Sequence, residues 1–126
     1  MRYRTPLSRV RGLGSAKDGT HHWWSQRITA IALVPLMLWV TASVIYMTGA
    51  DYAEFVAWMR SPAVSIAWVA LIIALFHHAQ LGVQVVLEDY VHTEWLKIAS
   101  IVAVKLAAVV LAVTCVLAIL RISLSG

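Results

Sequence analysis

His77 and His78 stand inside a long apolar run, and that run ends in Glu88-Asp89-Tyr90. Ionisable side chains within an oily helix are costly to place, and in membrane proteins they mark functional sites. Neutral imidazole donates a nitrogen lone pair and is a standard axial ligand of haem iron. A tyrosine hydroxyl at the membrane surface can donate to the ring oxygen of a quinone, and a neighbouring aspartate can tune that bond or relay protons. Asp89 lies eleven residues after His78, about three helical turns and about 16 Å along the axis, so the two share a face. Gly82, four residues after His78, falls near the same face. Its missing Cβ would admit a flat macrocycle close to the backbone.

Each of these residues also has a plainer reading. A lone intramembrane histidine can simply hydrogen-bond across a helix interface. His77 points about 100° away from His78, and spacing alone does not choose between them. Asp89 and Tyr90 can be a solvated helix end with an aromatic anchor. Arg27 opens the first apolar segment beside His21, His22 and Gln26. It either snorkels to the surface or pairs with a carboxylate at that depth, such as a haem propionate.

The elements that position these groups follow from composition. Of 126 residues, 61% are hydrophobic and 13% are charged, against about 25% charged in soluble domains. A soluble core of this size has no use for so much apolar surface, so the chain reads as one integral membrane domain, residues 1–126. Residues 1–22 form a basic arm with Arg2, Arg4, Arg9, Arg11 and Lys17, expected as coil on the membrane surface or on a soluble partner. Spans are expected over about 28–50, 62–87 and 98–120, each long enough for the roughly 20 residues a bilayer needs. Pro35 is expected to bend the first span. Asp51 to Arg60, with Tyr52, Phe55 and Trp58, is expected as an interfacial half-helix. The fold class is therefore all-α, three transmembrane helices in an up-down-up bundle. Basic residues concentrate before Arg27, while the first link carries only Arg60. That asymmetry places the N-terminus in the cytoplasm and Asp89-Tyr90 on the same side. The formal net charge of +4 is explained by this topology rather than by nucleic acid. One cysteine, Cys115, excludes an internal disulfide framework and reads as a small buried hydrophobe. Lys105, about two turns inside the third span, snorkels or faces a polar interface.

The run His78-Ala79-Gln80-Leu81-Gly82-Val83-Gln84-Val85-Val86-Leu87-Glu88-Asp89-Tyr90-Val91 resembles the motif of the small hydrophobic membrane anchors of succinate dehydrogenase, respiratory complex II, of the haem b-binding type. That motif is a histidine, glycine four later, valine seven or eight later, and Asp-Tyr-Val at eleven to thirteen. His21 to Ile31, ending Arg27-Ile28-Thr29-Ala30-Ile31, resembles the start of that family's first helix. The Trp23-Trp24 pair and the basic arm lie outside the pattern. The resemblance implies that His78, at the right distance from Asp-Tyr, is an axial ligand of haem b. It implies that the second ligand comes from a companion membrane anchor that packs with this one. It places Arg27 near the haem propionates, and His21 near the haem, with His22 as competitor. Tyr90, with Asp89 adjacent, would contact ubiquinone. The other partners implied are an iron–sulfur protein and a flavoprotein, docked on the cytoplasmic face, with lipid around the spans.

This chain carries no Gly-rich nucleotide loop and no cysteine set for iron–sulfur clusters, so succinate oxidation would belong to the partners. Half of each site lies elsewhere, so an obligate hetero-oligomer is expected. A bacterial inner membrane fits the lack of a recognisable transit peptide better than a mitochondrial one. Rival readings are a small transporter or channel component using His77, His78 and Lys105, and a haem-free structural anchor.

Overall fold

The computed structural model describes residues 17–125. Four helices follow in order: α1, Lys17–Tyr46; α2, Tyr52–Met59; α3, Pro62–Tyr90; α4, Glu94–Leu124. Three of them, α1, α3 and α4, are long and apolar enough to cross a membrane. No strand occurs among the described residues. The chain is therefore an all-helical, multi-pass membrane protein.

The helix bounds differ from the expected spans at every end but Pro62, with α3 running on to Tyr90 and α4 starting at Glu94. The first helix begins at Lys17, so residues 17–22 of the expected arm are helical, and His21 and His22 sit on α1. Residues 1–16, including Arg2, Arg4, Arg9 and Arg11, lie outside the described residues. Once the apolar span has nucleated a helix, each added residue gains a backbone bond, and polar residues such as His21 and His22 extend it readily. The first helix ends at Tyr46 rather than near residue 50. A turn over Met47–Gly49 follows, in which Gly49 takes φ +88°, a backbone conformation that favours glycine. The third span runs out to Leu124. The link is a short helix, α2, started by a capping box: Asp51 Oδ1 accepts from Glu54 N at 2.8 Å, and Glu54 Oε2 accepts from Asp51 N at 3.1 Å. Pro62 opens α3 at its first turn, where its missing N–H is not needed. α1 continues as one helix through Pro35.

α3 is the central helix. Among the described residues, α1 and α4 each pack on α3, and not on each other. On α4 the half-buried or buried positions include Ile101, Val104, Ala108, Ala112, Cys115 and Ile119. Their spacing of three and four traces one stripe toward α3, and Cys115 sits in it as a small apolar residue. At the end of the bundle where α3 starts and α4 finishes, Ser65 Oγ lies 2.7 Å from Met59 O and 2.8 Å from Ser123 Oγ. Arg60 donates to the carbonyl of Ser125 there. Trp39 also packs against Trp58 and Trp68, with ring centroids 6.2 Å and 5.7 Å apart. α2 is thus tied to α1, α3 and α4 from one end.

Little of the apolar surface is covered by the chain itself. At most 11% of any spanning window is buried, and the buried hydrophobic residues are Met59, Leu71, Leu81 and Ile119. Lipid tails are as apolar as leucine, so such exposure costs nothing in a bilayer. What holds helices together there is close packing and polar contact. The polar contacts of this chain are accordingly the informative ones.

Candidate functional site at the α1–α3 seam

The two histidines of α3 face different neighbours. His78 is half-buried and turned toward α1, whereas His77 is exposed. The Nδ1 of His78 lies 3.0 Å from Thr29 Oγ1. Its Nε2 lies 3.5 Å from Gln26 Nε2. His77 instead lines a small cleft of about 170 Å³ with Gln80 and Ala108 of α4. A second cleft, of about 490 Å³, gathers His77, His21, Gln84 and Lys105. The helical rotation between adjacent residues sends one histidine to the first helix and its neighbour toward the third span.

α1 presents a polar stripe to α3. His22, Gln26 and Thr29 are spaced four and three residues apart and fall on one face. Among the described residues, His22 Nε2 and Gln26 Oε1 are buried without a hydrogen-bond partner. Thr29 Oγ1 lies 2.9 Å from Ser25 O and 3.1 Å from Gln26 O. Along α3, Gln80, Gln84 and Glu88 form a chain of i to i+4 contacts, 3.4 Å and 2.7 Å long.

Next to this stripe is a cleft of about 570 Å³, lined by His22, Trp23, Gln26, Gly82, Gln84 and Glu88 among others. That size lies within the roughly 300–1,000 Å³ of ligand sites. A methyl group added at Gly82 would meet only Gln26 Nε2, at 3.7 Å. This is ordinary contact, so the chain's own packing does not require glycine there.

The remaining site residues fall as follows. Arg27 is exposed, with its guanidinium 5.3 Å over the Trp23 ring. Trp23 lines the cleft and so carries Arg27 at its margin. Arg27 itself makes no ion pair among the described residues. His21 is exposed in the cleft with His77 and Lys105 rather than beside His78. His22 has a buried ring nitrogen and lines both that cleft and the one shared with Gly82. Asp89 and Tyr90 are exposed on the last turn of α3, Tyr90 by 78%. They share that end of the bundle with the start of α1, because Gly19 and His22 line the same cleft as Glu88. The structure therefore brings His78 together with α1, and places Asp89-Tyr90 at the surface as a separate group. Gln26 and Thr29, to which the sequence reading gave no role of their own, make the direct contacts to His78. The His22-Gln26-Thr29 spacing was the available signal.

Among the described residues, no three His, Cys, Asp or Glu side chains converge as a metal-holding group. A haem asks for a single axial histidine from a chain, with the macrocycle supplying the equatorial nitrogens. His78 fits that demand: it offers one imidazole whose Nε2 is held only by a rotatable glutamine amide. The orphaned His22 Nε2 and Gln26 Oε1, and the room over Gly82, also fit a polar-edged planar group.

Comparison with known proteins agrees with this architecture. Residues 1–113 match the family described as succinate dehydrogenase/fumarate reductase transmembrane subunit. A succinate dehydrogenase hydrophobic membrane anchor subunit from Rickettsia bellii (strain RML369-C) is 35% identical over 117 residues, 93% of this chain and 94% of the relative. The protein of the same description from Paracoccus denitrificans is 32% identical over 93 residues, 71% of this chain and 70% of the relative. A succinate dehydrogenase membrane anchor subunit from Reclinomonas americana is 31% identical over 104 residues, 74% of this chain and 80% of the relative. No solved structure matches the chain. With three spanning helices, the central one carrying the polar groups, and a match over nearly its whole length, the chain belongs to the succinate dehydrogenase/fumarate reductase transmembrane subunit family.

Proposed function

We propose that this membrane anchor holds haem b through His78 and helps form the quinone-reducing site of a succinate dehydrogenase through Tyr90 and Asp89. The observation that carries the reading is the placement of His78. It lies near the middle of the central spanning helix, half-buried, with its Nδ1 on Thr29. Bound there, haem b would supply a one-electron redox centre within the bilayer. His78 offers the Nε2 lone pair once the Gln26 amide rotates away. Gly82 leaves room one turn further on. Arg27, at the cleft margin over Trp23, offers charge-assisted bonds to the propionate carboxylates.

Tyr90 and Asp89 serve the other half of the function. The Tyr90 hydroxyl donates to a quinone oxygen at the membrane surface, and Asp89 supports proton delivery to the reduced ring. The large uncovered apolar surface suits both lipid and a companion membrane anchor that would bring the second axial ligand. The end bearing Asp89-Tyr90 would face the cytoplasm of a bacterium and receive the iron–sulfur protein and the flavoprotein.

Deleting this chain tests the anchoring role. Succinate-dependent dye reduction is expected to move from the membrane to the soluble fraction, while succinate-dependent quinone reduction disappears. Dye reduction that stays with the membrane, or quinone reduction that persists, would contradict the reading.

A further inference from the structure

The ring of His78 is held at both nitrogens by α1. Nδ1 lies 3.0 Å from Thr29 Oγ1, and Nε2 lies 3.5 Å from Gln26 Nε2. With the Gln26 amide nitrogen turned toward the ring, the second contact is made with His78 Nε2 as acceptor. Neutral imidazole has one N–H, which then sits on Nδ1. The first contact agrees. Thr29 Oγ1 lies 2.9 Å from Ser25 O and 3.1 Å from Gln26 O, and carbonyl oxygens only accept. The hydroxyl proton goes to that pair, which leaves an oxygen lone pair for the Nδ1 proton of His78. The Thr29 hydroxyl is therefore a relay: it donates to its own helix and accepts from the histidine.

We infer that Thr29 is a positioning residue that fixes His78 as the Nδ1–H tautomer, with the Nε2 lone pair unprotonated and the ring plane locked against α1. This inference rests on the reading of His78 as the haem ligand, and extends it to the residue that prepares the ligand. A metal-binding histidine commonly donates its second N–H to an oxygen, which sets its tautomer, orients the ring and raises the basicity of the ligating nitrogen. Thr29 meets that need from within this chain. Position 29 is suited to the task because threonine in a helix can turn its hydroxyl back to the carbonyl one turn earlier. The oxygen is thereby fixed in direction before the histidine reaches it.

The test uses the whole purified complex and reads the haem, not turnover. Thr29→Val keeps the shape and removes the hydroxyl; Thr29→Ser restores the hydroxyl without the methyl. In Thr29→Val, haem retention through detergent exchange is expected to fall about 10- to 100-fold, the usual cost of losing an outer partner of a metal ligand. The haem that remains is expected to titrate at a higher reduction potential, because a less basic imidazole stabilises ferric iron less. Its low-spin electron paramagnetic resonance signal is expected to broaden as the ring plane is released. Thr29→Ser restores all three. Thr29→Ala, which adds no bulk, makes the same comparison should valine disturb the seam. If Thr29→Val and Thr29→Ala both keep the wild-type potential and signal while His78→Ala loses the haem, the role of Thr29 is overturned and the ligand assignment stands. If His78→Ala keeps the haem, the ligand assignment itself fails.

Discussion

His78→Ala is expected to remove the b-type absorption band of the reduced complex, and His77→Ala to leave it in place. The two residues are neighbours in sequence, and the expected difference comes from where α3 points them. His78 sits in the seam with α1, its nitrogens against Thr29 and Gln26. His77 is exposed and lines the clefts toward α4, with Lys105 in the larger one. Losing an outer partner of a metal ligand costs about 10- to 100-fold in affinity, so losing the ligand itself costs at least that. Haem content in His78→Ala is accordingly expected below about one-tenth of wild type, measured as haem per flavin in the purified complex. Loss of the band in His77→Ala with retention in His78→Ala would reverse the assignment. A transporter reading that strings His77, His78 and Lys105 along one path meets the same geometry: His78 is absent from the residues lining the cleft shared by His77 and Lys105.

Tyr90→Phe is expected to lower quinone reduction about tenfold or more, the effect of one hydrogen bond worth roughly 1.5 kcal/mol or above in a reacting site. Reduction of an artificial dye by the succinate-oxidising partners is expected to continue at the wild-type rate. The substitution removes one oxygen from a side chain that is 78% exposed in this chain, so it leaves no cavity and disturbs no internal contact. Folding of the anchor is therefore not in question, and the ratio of the two activities isolates the hydroxyl. Equal rates with both acceptors in the variant and wild type would remove Tyr90 from the quinone site.

Much of the architecture is legible in the residues because a bilayer allows so few solutions. Three apolar runs of this length read as three spanning helices, and α1, α3 and α4 are those helices. Pro62 marks the start of α3, and Asp51 with Glu54 marks the start of α2. The beginning of α1 at Lys17 is not legible in the same way. Lys17 to His22 is polar and contains Gly19, so local preference argues for coil. The helix extends there because the adjoining span has already met the cost of nucleation.

The site divides along the same line. His78, Asp89 and Tyr90 stand out because ionisable and hydroxyl groups are conspicuous at the middle and end of an oily run. Gln26 and Thr29 do not, since a glutamine and a threonine at the entry of a span are ordinary. Their importance comes from crossing to α3, and that contact joins residues 52 and 49 positions away in sequence. His21 and His22 show the same limit. Both precede Arg27 by about the same distance, yet only His22 has a buried ring nitrogen and lines the Gly82 cleft. Adjacent residues on a helix look alike in a motif and differ by about 100° in space.

The most direct measurement is the reduced-minus-oxidised spectrum, with protein composition, of the native complex isolated through an affinity tag on this chain. A flavoprotein, an iron–sulfur protein and a second small membrane protein should copurify, with b-type haem in proportion to flavin. Isolation of the chain without those partners and without haem would contradict the account.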